Sequence, residues 1–440
     1  MTTDAQFSFR AYAWGQFKQN RPAYLSLWVL LVLSVVAVLA PILANDQPLY
    51  ALYKGEHLFP AFTFKNAYEL KDPINGRTER VQIDIAKWKQ MRLEAVIWAP
   101  IPYAPNRTDI LNSNYREPGG EQFFKGVDGQ VVPMPFRFRH LLGTNKKGED
   151  VLAGLIHASR ISLTIGVLSM LIATVIGLLL GGLAGYFGDD RLSTTRGSFW
   201  AFVLGLVLAY YYGFHVRAHL LSDALGTSGG AMVGQLMVST GIALAVGWLF
   251  FHLGRWIGRL PLLNGRVNIA VDSYVSRGIE ILLSIPTFVL ILSIAAIAKP
   301  SILNLMLIIG LTRWTGIARF ARAEFLRIRN LEYIQAGQAL GYGEMRIIFR
   351  HALPNGMATA LVAIAFGIAS SILTESSLSF LGIGVPPDVV TWGSLLSSGR
   401  ENFNAWWLVI FPGMAIFLTV TIYNLLGEGL RDALDPRLKQ

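Results

Sequence analysis

The sequence predicts an all-α polytopic membrane protein with about eight transmembrane helices. Hydrophobic residues make up 53% of its 440 residues and charged residues only 15%, which is far more apolar than a soluble domain. A helix needs about 20 apolar residues to cross a bilayer, and eight segments approach or exceed that length. Arginines cluster after the fourth and sixth segments, where the positive-inside rule predicts cytoplasmic loops.

The eight predicted spans account for most of the apolar residues. An even number of spans places residues 1–23 and 428–440 on the cytoplasmic side. The first span, residues 24–44, is interpreted as an uncleaved anchor, because its apolar run is too long for a signal peptide. The third span is the shortest, and a re-entrant segment is its alternative interpretation. In chain order the spans are Tyr24 to Ala44, Ile161 to Tyr186, Phe199 to Phe214, Ala231 to Leu253, Gly278 to Ala298, Ile302 to Phe320, Met357 to Leu378 and Ala405 to Leu426.

A large polar region, residues 45–160, is predicted to lie outside the cytoplasm. Trp88, Trp98 and a turn signal at Asp128-Gly129 favour a small folded domain. Proline clusters at residues 100–105 and 133–135 favour the alternative, a long loop on the membrane surface.

Motifs for chemistry are missing from the sequence. There is no cysteine, no nucleotide-binding GxxxxGK[ST], and no HExxH or GxSxG motif. His215 and His219 have the spacing of metal ligands on a helix, but no third ligand is nearby, so an ordinary pair at a loop edge is favoured over a metal site. The positive-inside rule explains the net charge of +10 better than nucleic-acid binding does. The sequence therefore predicts no catalytic residue and no metal site, but a transport pathway that takes its energy from elsewhere.

One polar segment between two spans, EYIQAGQALGYGEMRIIFRHALPN, is unusual in this apolar chain. It predicts two short amphipathic helices, Tyr333 to Leu340 and Glu344 to Phe349, which are separated by a turn at Gly341 and Gly343. Pro354 is predicted to end the second helix before the next span. A polar helix held between two spans can push on them when a cytoplasmic partner moves it.

This segment resembles the cytoplasmic loop of the permease subunits of binding-protein-dependent ABC importers. The family pattern is Glu-Ala-Ala, three residues, Gly, nine residues, Ile-x-Leu-Pro, and its spacing is kept here. The acid is replaced by Gln335, the second alanine by Gly337 and the isoleucine by His351. The resemblance implies a coupling helix that sits in a groove of the ATP-binding subunit, and it implies this role for Gln335, Ala336, Gly337, Ala339, Leu340, Gly341, Leu353 and Pro354.

Other stretches resemble the dipeptide, oligopeptide and nickel branch of the same family. The start of the chain, WGQFKQNRPAYLSLW followed by ANDQPL, resembles the second permease subunit of that branch. The resemblance implies a type I ABC importer permease fold over residues 161–427, with the cytoplasmic coupling loop at residues 321–356. The branch usually has six spans, so residues 188–268 are predicted to insert two more. The matching stretches are WTGIARFARAEFL at Trp314 to Leu326, HLLGTNKKGEDVLAGL at His140 to Leu155, ESSLSFLGIG at Glu375 to Gly384 and LLGEGLRDALDP at Leu425 to Pro436.

The resemblance also implies a function. The chain would be one permease of an ATP-driven importer that moves peptides or similar small solutes across a bacterial inner membrane by alternating access. Its partners would be a second homologous permease, two ATPase subunits that bind ATP and Mg, and an extracytoplasmic binding protein, while this chain binds no cofactor. Nickel complexes and peptide antibiotics are the alternatives within the branch. A channel or secondary carrier is the competing class, for which a charged relay inside the membrane is expected.

Two groups of residues inside the spans are candidates for a specific role. Gly177, Gly181 and Gly185 are four residues apart, so they allow another helix to approach closely, within this subunit or across the dimer. Glu375, with Ser371 and Thr374 beside it, is a candidate for the pathway or a gate. The alternative for Glu375 is a position at the outer interface, where it snorkels or caps a helix.

Overall fold

A computed structural model describes residues 9–63, 67–71, 78–83, 88–126, 128–227 and 229–434. The predicted C-terminal tail therefore lies partly outside the described residues, as does Pro436 of the last matching stretch. The described chain divides into two compact units, one comprising Met1–Gly182 with Ile279–Gln440 and the other Leu183–Gly278.

The protein is mostly helical, which confirms the predicted fold class. The α-helices of the described residues are α1 (Phe9–Gln19), α2 (Arg21–Val38), α3 (Ala40–Leu43), α4 (Val151–Phe187), α5 (Arg196–Tyr210), α6 (Ala218–Thr227), α7 (Gly229–Ile257), α8 (Val271–Leu283), α9 (Thr287–Ile297), α10 (Ile302–Ile328), α11 (Glu332–Ala339), α12 (Glu344–Ile347), α13 (Leu353–Phe380), α14 (Trp392–Gly399) and α15 (Trp407–Leu434). Two π-helical segments, Tyr211–His215 and Ile348–Ala352, follow α5 and α12.

Six of the described helices are long and apolar enough to cross a membrane, or seven if α8 and α9 form one span. The sequence predicted eight, and α10 is the one that falls short, because Arg313 and Arg319 lie within its apolar stretch. The predicted span Gly278 to Ala298 is bent by 76° between α8 and α9. Pro286 lies at this break, where it cannot donate the backbone hydrogen bond that a continuous helix needs.

The first predicted span is shorter than expected. Helix α2 ends at Val38, and Pro41 lies in the first turn of the separate short helix α3. Proline is favoured at a helix start because the missing N–H would have no partner there. The apolar run to Ala44 is therefore two helices and not one.

Close helix packing at glycines builds the larger unit. A Cβ added to Gly181 would lie 2.3 Å from the backbone oxygen of Ala318, and one added to Gly177 would lie 2.6 Å from the Cβ of Ile317. Both contacts are made to α10, so this glycine face of α4 packs within the subunit. Nearer the start of α4, a Cβ added to Gly166 would lie 2.6 Å from the Cγ1 of Ile372 in α13.

The region between α3 and α4 contains short strands around a small core. Strand β1 (Tyr50–Tyr53) pairs antiparallel with β2 (Glu56–Leu58) and β5 (Ala95–Ile97), while β3 (Ala67–Lys71) pairs with β4 (Thr78–Gln82) and β6 (Phe123–Lys125) with β7 (Val131–Pro133). Trp88 is buried beside Ala51 and Leu58, and its indole N–H donates to the backbone oxygen of Ile83 at 3.1 Å. The independence of this region as a domain stays a prediction.

The smaller unit contains the predicted inserted helices. The pair of strands β8 (Ser193–Thr195) and β9 (Arg266–Asn268) lies at its two ends in the sequence. Between them α5 packs on α7, because a Cβ at Gly205 would lie 2.5 Å from the Cβ of Phe250. The ring of His215 stacks on Tyr211, and the described residues contain no group of three or more side chains suited to a metal ion.

Candidate functional site

The turn at Gly341 ends α11 with a defined hydrogen-bond pattern. The N–H of Gly341 donates to the oxygen of Gln338 at 2.9 Å, and the N–H of Tyr342 donates to the oxygen of Gly337 at 3.0 Å. This pair of bonds is a Schellman motif. Gly341 has φ of +77°, a left-handed conformation that glycine adopts without strain. Glycine is therefore the favoured residue at 341, because most other residues are strained in this conformation.

The second half of the segment differs from the prediction. Gly343 has φ of −63° and an extended conformation that any residue adopts, so only one of the two glycines is required by the backbone. Pro354 does not end a helix, because the chain is helical from Glu344 to the end of α13. The π-helical turn Ile348–Ala352 precedes the proline, and the N–H of Leu353 donates to the oxygen of Ile348. Pro354 lies in the first turn of α13, where its missing N–H is tolerated.

One face of the segment is buried, and the opposite face is exposed. Ile334, Ile347 and Ile348 are buried. Leu340 is 72% exposed and Met345 60% exposed, although both are apolar. The predicted coupling residues divide between the two faces: Gly337 is buried, Leu353 is half-buried, and the exposed ones are Gln335, Ala336, Ala339, Leu340, Gly341 and Pro354.

The structure accommodates either glycine or the alanine of the family pattern at position 337. A Cβ at this position would lie 3.6 Å from the ring of Tyr342 and 3.9 Å from the side chain of Ile347. These are ordinary contact distances, so the alanine of the pattern also fits here. An acid at Gln335 would be exposed, because that side chain faces outward.

Glu375 is completely enclosed inside the bundle. Its carboxylate accepts hydrogen bonds from Ser162 at 3.0 Å, Ser376 at 3.3 Å and Ser379 at 2.7 Å. Ser162 belongs to α4, so these bonds connect α4 to α13. Ser371 is buried one turn away on α13, and its hydroxyl has no hydrogen-bond partner among the described residues.

Thr374 lies beside a cavity that the sequence did not reveal. Its hydroxyl accepts a hydrogen bond from the guanidinium Nη2 of Arg313 at 2.7 Å and donates to the backbone oxygen of Ser370 at 2.8 Å. Arg313 and Ser370 line a cavity of about 650 Å³. Glu375 is not among the residues that line this cavity. The signal in the sequence was the arginine itself, which stands inside a predicted span.

A buried charge cluster lies outside the membrane segments. His140 is enclosed between two carboxylates, with Nδ1 2.8 Å from Asp150 and Nε2 3.3 Å from Asp109. Burial disfavours the charged imidazole, but the hydrogen bonds to Asp109 and Asp150 outweigh it and raise the pKa of His140. Lys89 lies over the ring of Tyr103, 3.4 Å from its centre, and burial lowers the pKa of Lys89 to about 7.

The C-terminal and N-terminal parts of the chain match two known protein families. Residues 253–440 match the binding-protein-dependent transport system inner membrane component, and residues 8–58 match the N-terminal transmembrane domain of oligopeptide transport permease C. The two matches cover residues 332–355, which are the predicted coupling segment, and the first predicted span.

Relatives match over much of the chain. The inner membrane ABC transporter permease protein YejE of Escherichia coli is 28% identical over 426 residues, which are 96% of each chain. The peptidoglycan transport system permease protein YejE of Agrobacterium fabrum is 29% identical over 96% of this chain and 92% of its own length. The di/tripeptide transport system permease protein DppC of Pseudomonas aeruginosa is 31% identical over 68% of this chain and 73% of its own length.

Proposed function

The chain belongs to the family of inner membrane components of binding-protein-dependent transport systems, and from this we propose that it is one permease subunit of an ATP-driven importer for peptides or similar small solutes. The observation that carries the proposal is the coupling segment, in which a short helix is buried on one side and exposes apolar side chains on the other. An exposed apolar patch next to a membrane bundle is typical of a surface that binds a partner.

The coupling segment is connected to the helices that line the cavity. Helix α10 ends at Ile328, shortly before α11 begins at Glu332. On the other side, α12 continues through the π-helical turn into α13. Arg313 of α10 and Ser370 of α13 both line the cavity. A displacement of α11 by a partner ATPase would therefore be passed directly to both walls of the cavity, which is the coupling that alternating access needs.

The energy comes from partner subunits. The chain has no motif that could hold a nucleotide, so we assign ATP and Mg to two ATPase subunits. One of them would dock on Leu340, Met345 and the other exposed residues of the coupling segment, and the other would dock on the second permease. A second homologous permease would complete the pathway, and an extracytoplasmic binding protein would deliver the substrate. This chain is the transporting component and not an enzyme.

Glu375, Ser371 and Thr374 receive separate roles in this proposal. Glu375 ties α4 to α13 through Ser162, since its carboxylate is enclosed and bonded to hydroxyls. Thr374 orients Arg313 at the cavity wall. Ser371 keeps its assignment as a gate candidate, because its buried hydroxyl has no partner among the described residues and so is free to bond in a second conformation.

The transport systems to which the relatives belong support a peptide substrate. They include permeases for di/tripeptides and for glutathione, as well as a peptidoglycan transport system. Nickel complexes and peptide antibiotics remain the alternatives within the branch. A channel or secondary carrier is the alternative from another class, and the exposed coupling segment favours the ATP-driven machine over it.

We place the protein in the bacterial inner membrane with both termini in the cytoplasm. The arginines around α11, including Arg327 and Arg350, support this orientation through the positive-inside rule. In it, the region between α3 and α4 faces outward, where a binding protein would dock.

Reconstitution tests the proposal. The complete complex would be placed in proteoliposomes with its binding protein, and uptake of radiolabelled trialanine would be measured with and without ATP inside. Uptake that requires both ATP and the ATPase subunits supports the proposal. Uptake that follows an ion gradient without ATP would identify a secondary carrier.

A further inference from the structure

The cavity between α10 and α13 has the charge of an anion-binding site. It measures about 650 Å³, within the range of pockets that hold small ligands. Arg313, Arg319 and Arg431 line it, and no acidic side chain is among the described residues that do so. The hydroxyls of Thr312, Thr315 and Ser370 add polar partners, and Phe320 and Phe366 supply apolar surface.

Arg313 is the central residue of this cavity. It stands near the middle of α10, inside the predicted span Ile302 to Phe320, and its side chain is partly buried. Its Nη2 donates to Thr374, while its Nε is buried and has no hydrogen-bond partner among the described residues. A charged side chain within a membrane segment is costly, and it persists where it contacts a partner or a transported ligand.

We propose that Arg313 binds the carboxylate of the solute as it passes through the cavity. Guanidinium groups bind carboxylates through two parallel N–H···O bonds, and this chemistry recognises the free carboxyl end of a peptide. Thr374 holds one nitrogen of the guanidinium, so that the group is oriented before the solute arrives. The inference rests on the proposed function and names the substrate class, a small solute with a carboxylate.

The apolar part of the wall suits a variable side chain. Phe366, Met170 and Val362 line the same cavity as Arg313 and offer no hydrogen-bond donor to distinguish one side chain from another. A site that holds the carboxylate end of a solute by charge and meets its side chains with apolar surface accepts many peptides.

The test compares two probes in the reconstituted complex, trialanine and trialanine amide, each at a saturating concentration of loaded binding protein. Saturation removes the affinity of the binding protein from the comparison. Arg313→Gln is expected to lower the rate of trialanine uptake about tenfold or more, the usual cost of losing a charge-assisted hydrogen bond. The rate for the amide is expected to change by less than about twofold. Arg313→Lys is expected to transport trialanine faster than Arg313→Gln, because lysine keeps the positive charge. It should remain slower than wild type, because an ammonium group cannot form the two parallel N–H···O bonds of a guanidinium.

Thr374→Val tests the orienting role, and Thr419→Val is its matched control. Thr419 is also buried in a helix and also donates to the backbone four residues earlier, at 2.8 Å, but it lies on α15 and holds no arginine in the structure. Thr374→Val is expected to lower trialanine uptake more than amide uptake, whereas Thr419→Val should affect both probes equally.

Three results would overturn the inference. Equal loss of both probes in Arg313→Gln would make Arg313 a structural residue, and unchanged uptake of both would place the cavity off the pathway. Loss of the second permease from the purified variant complex would make Arg313 an interface residue. An anionic phospholipid that native mass spectrometry detects on the wild-type complex but not on Arg313→Gln would identify a lipid headgroup as the anion. Failure of the proposed function is a separate result, the lack of any ATP-dependent uptake by the wild-type complex.

Discussion

The imidazole of His140 is hydrogen bonded to the carboxylate of Asp150, with 2.8 Å between Nδ1 and Oδ2, and both side chains are buried. Asp150 also caps α4, because its other oxygen accepts the backbone N–H of Ala153 at 2.6 Å. The opposite ring nitrogen of His140 meets Asp109 at 3.3 Å. One imidazole thus connects the region between α3 and α4, which we call the outer region after its proposed location, to the start of α4, the longest of the described helices.

This arrangement predicts a pH-dependent stability of the outer region. The folded-state pKa of His140 is raised, so its stabilising contribution is complete below the unfolded pKa of about 6.5 and is lost as pH rises through the folded value. His140→Gln should therefore destabilise the protein by about 2 kcal/mol at pH 5.5, and by less at alkaline pH. Thermal unfolding followed by tryptophan fluorescence, at pH 5.5 and at alkaline pH, measures the two losses of stability.

The contribution of Lys89 to the pH dependence of stability must be distinguished from that of His140. Burial lowers the pKa of Lys89 to about 7, so the folded state disfavours its charged form, and stability from this group rises between about pH 7 and its unfolded pKa. The sign is opposite to that of His140. Lys89→Met is expected to remove the rise at alkaline pH and to leave the difference between wild type and His140→Gln intact. An identical pH profile for wild type and His140→Gln would refute the assigned pairing.

Gly148 gives a second prediction about the same loop. A Cβ at Gly148 would lie 2.0 Å from the backbone oxygen of Asp109, and its φ is +84°. Backbone atoms cannot move aside as a flexible side chain can, so Gly148→Ala should cost about 3 kcal/mol or more and reduce the amount of folded protein.

Gly119 is the matched control for Gly148. Its φ is +79°, but nothing lies within 4 Å of an added Cβ. Gly119→Ala should therefore cost only about 1 kcal/mol, the price of the backbone conformation alone. Thermal unfolding of the two variants distinguishes the cost of the contact with Asp109 from the cost of the left-handed conformation. Equal losses of stability in the two variants would show that the contact is unimportant.

Local signals in the sequence predicted much of the fold. Apolar runs predicted most of the long helices, and the glycine at 341 predicted the turn that ends α11, because each depends on neighbouring residues only. Proline was harder to interpret. Pro286 breaks a span, whereas Pro354 lies inside a continuous helical stretch, and the difference arises from the π-helical turn before Pro354. Such a turn depends on the packing of Ile348 and Ala352, both of which are buried.

The candidate site was harder to predict because its residues meet only after folding. Arg313 and Thr374 are far apart in the sequence, and nothing in either segment indicates that they are hydrogen bonded. The same holds for His140 and Asp109, which belong to different loops. Glu375 was predicted as a candidate for the pathway or a gate from its place in an apolar run, and that role stays a prediction. The hydroxyls of Ser162, Ser376 and Ser379 that bond to its carboxylate come together only in the fold.

The glycine face of α4 gives a third prediction. Gly181 is in backbone contact with Ala318, so Gly181→Leu should separate α4 from α10 and strongly reduce the amount of assembled protein in the membrane. Gly413→Leu, in α15, is the control, since nothing lies within 4 Å of an added Cβ there. Membrane fractions quantified by immunoblot would show the difference. Equal amounts of both variants would contradict the packing of α4 on α10.

Gly341 gives the last prediction, which concerns coupling. Nothing in this chain lies within 4 Å of an added Cβ, and aspartate is one of the few residues that tolerate a left-handed conformation, so Gly341→Asp should cost this subunit only about 1 kcal/mol. If the ATPase docks as we propose, the new charge would enter that docking surface beside Leu340, an exposed apolar residue. The variant should therefore reach the membrane in normal amount, while trialanine uptake falls at least tenfold and the ATPases dissociate or stop responding to the loaded binding protein. Gly119→Asp is the matched control, because it has nearly the same φ and the same open space but lies in the outer region. It should transport normally. Normal transport by Gly341→Asp, with the ATPases still attached, would show that this turn is not part of the coupling surface.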